Sequence, residues 1–345
     1  MTGALIATGA VAFAVAATPT PSDTASRLTA AAQSFLASLD AGQRKDVEYD
    51  FDDSERFDLR LAPIGLDGIA LSDLDAEQRA RARDLRAAAL SEQGLRKVEL
   101  IMSLENEVRQ LEGERLIGLF TRFIRDPERY FTTIYGEPST SEPWGFRFDG
   151  HHVSLNFTVV PGAPPASTPL FLGAQPRQVR QGWERAGLRV LAAEEDLARE
   201  LYLSFDEAQR ARATLPYESD RELFLGDVRF IDLSEPPKGL PRSEMNDEQK
   251  RLLDALLDVY IDNFPADVAA ARRAEIDPAG RDAIHFAWAG STEPGRGCYY
   301  RLQGPTLLLE FDDTVPGNDH IHTLWRDPRR DFGRDLLAEH RARAH

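Results

Sequence analysis

The segment HIHTLW near the C-terminus places His320 and His322 two residues apart. On a β-strand such residues share one face, so both rings would point the same way. Glu310 follows three leucines, a position where an unpaired carboxylate would be costly to bury. Two imidazoles and a carboxylate are a common ligand set for Zn or Fe. If the strands carrying Glu310 and His320 form a hairpin, the sequence predicts a site for one divalent transition metal, Zn or Fe, with Glu310, His320 and His322 as ligands.

A second histidine pair lies in FDGHHVSLNF, at the predicted start of another strand. Because successive strand residues face opposite ways, His151 would share a face with Val153 and pack behind the site. His152 would share a face with Ser154 and act as a fourth metal ligand or a general base. Two alternatives stay open: the histidines are structural hydrogen-bonded groups, or they form a metal-free acid/base or binding site.

Four further polar residues are candidates for the same site. Arg147 and Arg301 occupy matching positions in two similar segments, which favours a structural ion pair used twice. Their alternative role is catalytic, binding an anionic substrate group through the guanidinium fork. Asp312 and Asp327 are candidates to orient a ligating histidine, although Asp327 also fits a salt-bridged surface.

The elements that position these residues begin with a recurring pattern of Asp or Asn, two residues, then Gln. This pattern is typical of a capping box at a helix N-terminus. The four copies start at Asp40, Asp75, Asp206 and Asn246. The helix after Asp75 is predicted to be the longest, with an apolar stripe at helical spacing. That stripe comprises Leu95, Val98, Met102 and Val108.

The two halves of the chain resemble each other. GEPSTSEPWGFRFDGHHVSLNF aligns without gaps with GSTEPGRGCYYRLQGPTLLLEF when Gly136 is placed on Gly290. We therefore predict an α+β fold, internally duplicated, in which helix pairs and antiparallel β-hairpins are related by a pseudo-twofold axis. One compact domain, 27–345, would contain repeats at about 35–160 and 200–325 and a C-terminal helix. The Pro-rich segments 161–176 and 234–241 are predicted to be loops or linkers.

Composition and charge exclude several classes. The net charge of -16 argues against nucleic acid as a partner, because binding requires a basic surface. No GxSxG, HExxH, P-loop or GxGxxG motif occurs. The sequence therefore disfavours a serine hydrolase of the GxSxG type, a zincin protease and a nucleotide-binding protein. The lone Cys298 makes no internal disulfide.

The N-terminus carries an apolar run, residues 4–17, that is too short to span a bilayer. With the polar, Pro-containing stretch that follows, residues 1–26 are a candidate signal peptide or a disordered N-terminus. This predicts export to the periplasm or the extracellular space and no stable membrane span. No Lys or Arg precedes Arg27, so the alternative is a cytoplasmic protein whose N-terminus is not a signal.

Several segments carry a family resemblance. PWGFRFDGHHVSLNF, TPLFLGAQP, CYYRLQGPTLLLEFDD, NDHIHTLWRD and DFGRDLLAEH resemble the family catalogued as domain of unknown function 3500. The resemblance runs from about residue 28 to the C-terminus. It implies no activity, but the matching segments are those rich in the His, Glu and Arg residues named above.

The residues predict a metal-dependent enzyme, a hydrolase or an oxygenase, that acts on a small or extracellular organic substrate. The rival prediction is a non-catalytic binding or structural protein of the cell envelope, in which the histidines are structural.

Overall fold

The computed structural model describes residues 23–60, 65–112, 125–216, 228–233, 236–314 and 319–344. Most of the predicted signal peptide, residues 1–22, lies outside these ranges. Among the described residues, no helix combines the length and the apolarity needed to cross a membrane.

Helices begin where the recurring pattern predicts them. In all four copies the Asp or Asn side chain accepts the N3 backbone N–H, and the N3 Gln side chain accepts the cap backbone N–H. The predicted capping boxes are therefore confirmed. Within the described ranges the α-helices are α1 (Asp23–Ser38), α2 (Ala41–Val47), α3 (Ala76–Ala89), α4 (Glu92–Ser103), α5 (Glu105–Glu112), α6 (Ala192–Leu203), α7 (Glu207–Ala213), α8 (Asp247–Ile261), α9 (Ala266–Gly280) and α10 (Arg334–Ala344).

The long helix predicted after Asp75 is wrong, because the chain breaks it into α3, α4 and α5. Leu90 is extended, with φ -119 and ψ 156. Ser91 then caps α4, since its hydroxyl accepts the Gly94 N–H at 3.0 Å. A good cap satisfies the otherwise unpaired N–H groups of a new helix, and that competes with continuing the old one.

Eleven strands within the described ranges form one sheet. They are β1 (Glu48–Tyr49), β2 (Ile69–Ala70), β3 (Phe131–Tyr135), β4 (Trp144–Gly150), β5 (Val153–Val159), β6 (Leu170–Ala174), β7 (Leu240–Pro241), β8 (His285–Gly290), β9 (Cys298–Gly304), β10 (Leu307–Asp312) and β11 (Ile321–Arg326). The order is β1-β3-β4-β5-β6-β11-β10-β9-β8-β7, with β2 also paired to β3. Only the β1–β3 pairing is parallel among these described strands. The α+β class is confirmed.

Strand β6 corrects the prediction of a loop at 161–176. It is buried throughout and lies mid-sheet between β5 and β11. Its flanking prolines, Pro169 and Pro176, stand just outside the strand, where no ladder N–H is needed. The prolines therefore bound the strand without interrupting it.

The two faces of the sheet differ in chemistry. On β10, Leu307, Leu309 and Phe311 join the large apolar core with the helices. Glu310 alternates with them and therefore lies on the other face, although it is also fully buried. This alternation places carboxylates and guanidinium groups of the central strands on one side of the sheet.

The predicted duplication can be compared with the register of the two hairpins. In β4–β5 Gly150 pairs with Val153, and in β9–β10 Gly304 pairs with Leu307. Each hairpin therefore has a two-residue turn at positions that the sequence alignment places together. The register agrees with the alignment, while the duplication and its pseudo-twofold axis stay a prediction.

Candidate metal centre

His151 and His152 are the two central residues of the β4–β5 turn. The prediction that they begin a strand and face opposite ways is therefore wrong. His152 adopts a left-handed backbone conformation, φ 65, which turns the chain sharply. As a result the two rings lie together, with centroids 3.6 Å apart.

His320, the residue immediately before β11, lies next to this pair. Its Nε2 atom lies 2.5 Å from Nε2 of His152. His151, His152 and His320 each offer a ring nitrogen, and these atoms all lie within 4.8 Å of one another. We call these three residues the histidine triad. They form a group that could hold a metal ion.

Gly173 on β6 makes room for the triad. Its backbone N–H donates to the His152 carbonyl at 2.8 Å. A Cβ atom at position 173 would lie 2.7 Å from Cδ2 of His152 and 2.8 Å from the Ile321 carbonyl oxygen. Only glycine therefore allows the His152 ring and the start of β11 to approach the same point of β6.

A buried carboxylate orients His151. Glu105, at the start of α5, contacts Nδ1 of His151, and the Tyr130 hydroxyl donates to the His151 carbonyl at 2.7 Å. A carboxylate beside Nδ1 accepts a hydrogen bond from the Nδ1–H group. The tautomer with its proton on Nδ1 is therefore favoured, and its lone pair is on Nε2. Carboxylates orient metal-binding histidines in this way.

Backbone contacts position His320. The Arg177 backbone N–H donates to the Asp319 carboxylate at 3.1 Å. The Arg177 guanidinium in turn donates to Glu195 of α6 at 3.1 Å. Arg177, which follows β6, thus ties the residue before His320 to the helical layer.

The imidazoles near the turn are poor bases in this setting. Burial lowers the pKa of His320 to about 4 and that of His322 to about 3. Burial, together with neighbouring cationic groups, holds the pKa values of His151 and His152 well below the usual range. Neutral imidazoles keep a lone pair, which metal ligation requires.

A tetrahedral zinc ion with Zn–N bonds near 2.0–2.1 Å would hold its ligand nitrogens about 3.3 Å apart. The Nε2 atoms of His152 and His320 are closer than that, at 2.5 Å. Separating them by roughly 1 Å would fit such an ion.

Of the two other predicted ligands, His322 lies near the histidine triad and Glu310 lies further along β10. His322 lies beside the triad, with its ring centroid 4.4 Å from that of His320 and 5.4 Å from that of His152. The predicted β10–β11 hairpin forms, but it pairs Glu310 with Leu324. Glu310 accepts a hydrogen bond from the Tyr299 hydroxyl at 2.7 Å. Among the described residues the potential metal-binding group does not include Glu310.

Asp312 lies directly opposite His322 on β10, and its Oδ1 accepts the Thr314 N–H at 2.9 Å. This placement suits the predicted orienting role. Asp327 follows the far end of β11 and pairs with Arg272 at 2.8 Å. The structure therefore does not bring Asp327 to the triad.

The two predicted catalytic arginines lie along the strands. Arg147 is buried in an ion pair with Asp149, with Nε 2.6 Å from Oδ2. Arg301 on β9 lies opposite Glu310 on the neighbouring strand β10. Its guanidinium donates to the Gln303 side chain at 3.3 Å. Arg147 is four residues from the His151 turn, about 13 Å along a strand.

Sequence reasoning missed Glu105, Arg125 and Gly173. For Glu105 a signal existed, because it falls between Met102 and Val108 on the predicted apolar stripe. A carboxylate on such a stripe requires a buried partner. For Arg125, whose Nη1 lies 2.6 Å from Nε2 of His151, and for Gly173, the sequence offers no comparable signal.

Comparison with known families matched residues 21–334 to the model described as protein of unknown function (DUF3500). Comparison with curated proteins and with solved structures found no match. Since the matched region covers nearly the full chain, this protein belongs to the DUF3500 family of proteins of unknown function.

Proposed function

We propose that the histidine triad binds one divalent transition metal and that the protein is a metal-dependent enzyme acting on a small organic substrate. The observation that carries the proposal is that three ring nitrogens lie within 4.8 Å of one another. Two of them come from the β4–β5 turn and the third from the residue before β11. The left-handed His152 supports it, since strained non-glycine residues cluster at functional sites.

The ligand set favours hydrolysis over oxygenation. Three histidines are the ligand set of catalytic zinc sites that keep a fourth position open for water. Zinc in such a site lowers the pKa of bound water and supplies a nucleophile at neutral pH. A two-histidine, one-carboxylate iron site would need a carboxylate ligand, and the group of described residues that could hold a metal consists of three histidines.

The first test is metal binding by protein that carries no His-tag. We expect about one Zn²⁺ per chain by elemental analysis after dialysis. His152→Ala and His320→Ala should each weaken binding at least about 100-fold, beyond the typical effect of losing an outer-shell partner. His285→Ala is the matched control, because His285 lies on β8 and contacts the Ala283 carbonyl. Wild-type protein that retains no metal would contradict the site.

The second measurement separates enzyme from structural protein. Hydrolysis of p-nitrophenyl acetate is followed before chelation, after chelation and after return of Zn²⁺. The enzyme proposal expects activity to fall and return with the metal while circular dichroism stays constant. A metal whose removal changes only the melting temperature would favour the rival, a non-catalytic structural or binding protein.

A further inference from the structure

The turn between β4 and β5 has a conformation that its two residues do not favour by themselves. His152 and Phe332 are the non-glycine residues with positive φ in the described part of the chain, so φ is negative at His151 and positive at His152. These signs are those of a type II turn. Two-residue hairpin loops favour types I′ and II′ instead, and positive φ at the second central residue usually requires Gly or Asn. Contacts from outside the turn must therefore hold it.

The competing conformation is a type I turn, in which the peptide between His151 and His152 is reversed. Types I and II share the same φ at the first central residue but differ in its ψ and in the sign of φ at the second. The carbonyl of the intervening peptide therefore points to opposite sides in the two turns. A type I turn would give His152 a negative φ, which suits a residue with a Cβ atom. It would also change the direction in which the His152 side chain leaves the backbone.

Tyr130 fixes the orientation of this peptide. Its hydroxyl donates to the His151 carbonyl at 2.7 Å, and reversing the peptide would turn that carbonyl away. The Tyr130 ring is fully buried and is stacked on Phe148, with centroids 5.7 Å apart and planes at 15°. It also lies against Gly150, where a Cβ atom would be 2.1 Å from Cδ1 of the ring. Residues of β4 therefore hold the donor in place beside the turn.

The carbonyl on the other side of His152 is held as well. The Gly173 N–H donates to it at 2.8 Å, which continues the pairing of β5 with β6. The conformational choice is thereby confined to one peptide, the one between His151 and His152, and Tyr130 bonds to the carbonyl of that peptide.

We propose that Tyr130 is a positioning residue of the metal site, whose bond to the His151 carbonyl selects the left-handed conformation of His152 and so directs the His152 ring toward His320. The Nε2 atoms of His152 and His320 are 2.5 Å apart, so the direction of the ring decides whether these nitrogens can share one ion. This inference rests on the metal site proposed above. Tyr130 acts on that site through the backbone and not through a ligand nitrogen.

The test compares two tyrosines of the full-length protein. Tyr130→Phe removes the hydroxyl and keeps the ring that packs on β4. We expect a crystal structure of the metal-free variant to show negative φ at His152. Its Zn²⁺ affinity should fall at least about tenfold, as for the loss of an outer-shell partner. Tyr135→Phe is the matched control and should keep wild-type affinity. Tyr135 lies on β3 and is fully buried, but its hydroxyl has no hydrogen-bond partner in the described part of the chain.

Two further measurements separate positioning from a general structural role. Crystals of Tyr130→Phe grown with saturating Zn²⁺ should show positive φ at His152 again, because the ion binds the left-handed form and shifts the population toward it. Replacing Tyr130 with 4-aminophenylalanine supplies an N–H donor at the place of the hydroxyl. It should restore positive φ in the metal-free protein and most of the Zn²⁺ affinity.

Positive φ at His152 in metal-free Tyr130→Phe would overturn the inference, as would negative φ together with wild-type Zn²⁺ affinity. Equal losses of affinity in Tyr130→Phe and Tyr135→Phe would also overturn it. So would a Tyr130→Phe chain that does not fold by circular dichroism, because the hydroxyl would then be needed for the fold as a whole. Wild type that binds no Zn²⁺ would overturn the proposed metal site and with it the role of Tyr130. Every other adverse outcome leaves the metal site standing.

Discussion

At the scale of single residues, the site depends on two positions that meet, one with an unusual backbone conformation and one without a side chain. His152 has a left-handed conformation that costs a non-glycine residue about 1–2 kcal/mol. Gly173 leaves space for the His152 ring in the position that this conformation gives it. The strain at one residue is tolerated because the absent side chain at the other leaves space.

Gly173→Ala tests this relation. The added Cβ would lie under 3 Å from both the His152 ring and the Ile321 carbonyl oxygen, so the ring or β11 must shift. We expect the free energy of unfolding to fall by about 1–3 kcal/mol, as for overpacked cores, and Zn²⁺ affinity to fall at least about tenfold. Urea unfolding and metal titration measure the two effects. Gly42→Ala, on the exposed surface of α2, is the control, and an unchanged Zn²⁺ affinity in Gly173→Ala would refute the relation.

At the scale of elements, the capping glutamines join helices as well as starting them. Gln78 donates to the Gln43 side chain at 2.8 Å and to the Ser38 carbonyl at 2.9 Å. Gln249 donates to Gln209 at 2.9 Å and to the Ser204 carbonyl at 3.0 Å. Each amide therefore links the end of one helix, the start of a second and its own helix.

These matching contacts give the predicted duplication an energetic test. Gln78→Ala and Gln249→Ala each remove a cap bond and the hydrogen bonds to part-buried acceptors on the two neighbouring helices, so each should cost about 1–2 kcal/mol. Urea unfolding should give two losses that agree within about 0.5 kcal/mol. Arg81→Ala, on the exposed side of α3, should change little. Strongly unequal losses would argue against equivalent roles in the two halves.

The helix starts and most hairpins could be predicted because local signals dominate there. A cap residue and its N3 partner are neighbours in sequence, and strand alternation is set by the apolar residues of β5 and β10. The breaks between α3, α4 and α5 were missed because Ser91 outweighs a continuous apolar stripe. The strand β6 was missed because nearby prolines suggest a loop, and one of its two pairing partners, β11, is far away in the chain.

Two of the residues named from the sequence lie together in the candidate site, whereas its use as a metal site stays a prediction. His152 and His320 were named as ligands, and they meet. The register of the β10–β11 hairpin pairs Glu310 with Leu324, and no local sequence pattern specifies that register. The turn at His151–His152 lacks the Asn or Gly that usually indicates a two-residue hairpin loop.

At the scale of the whole molecule, Cys298 offers a probe of global unfolding. It is the only cysteine in the chain, it is fully buried, and burial raises the pKa of its thiol. The thiolate is the form that reacts with a disulfide reagent, and the buried thiol stays protonated. Cys298 of the native protein should therefore react only as fast as the fold opens and exposes it. We expect one thiol per chain to react promptly in denaturant and slowly without it. Ala76→Cys, at an exposed position, should add one promptly reacting thiol. Rapid reaction of native wild type would contradict the burial.

The pairing of β6 with β11 has a consequence for the whole chain. The triad draws His151 and His152 from one side of this seam and His320 from the other. A metal held there would bind the folded chain and not the unfolded one, so its binding free energy would add to folding stability. The metal would then link the first and second parts of the sheet, and its contribution to the free energy of unfolding would rise with the free metal concentration. Occupancy of the site and stability of the fold would then be linked equilibria.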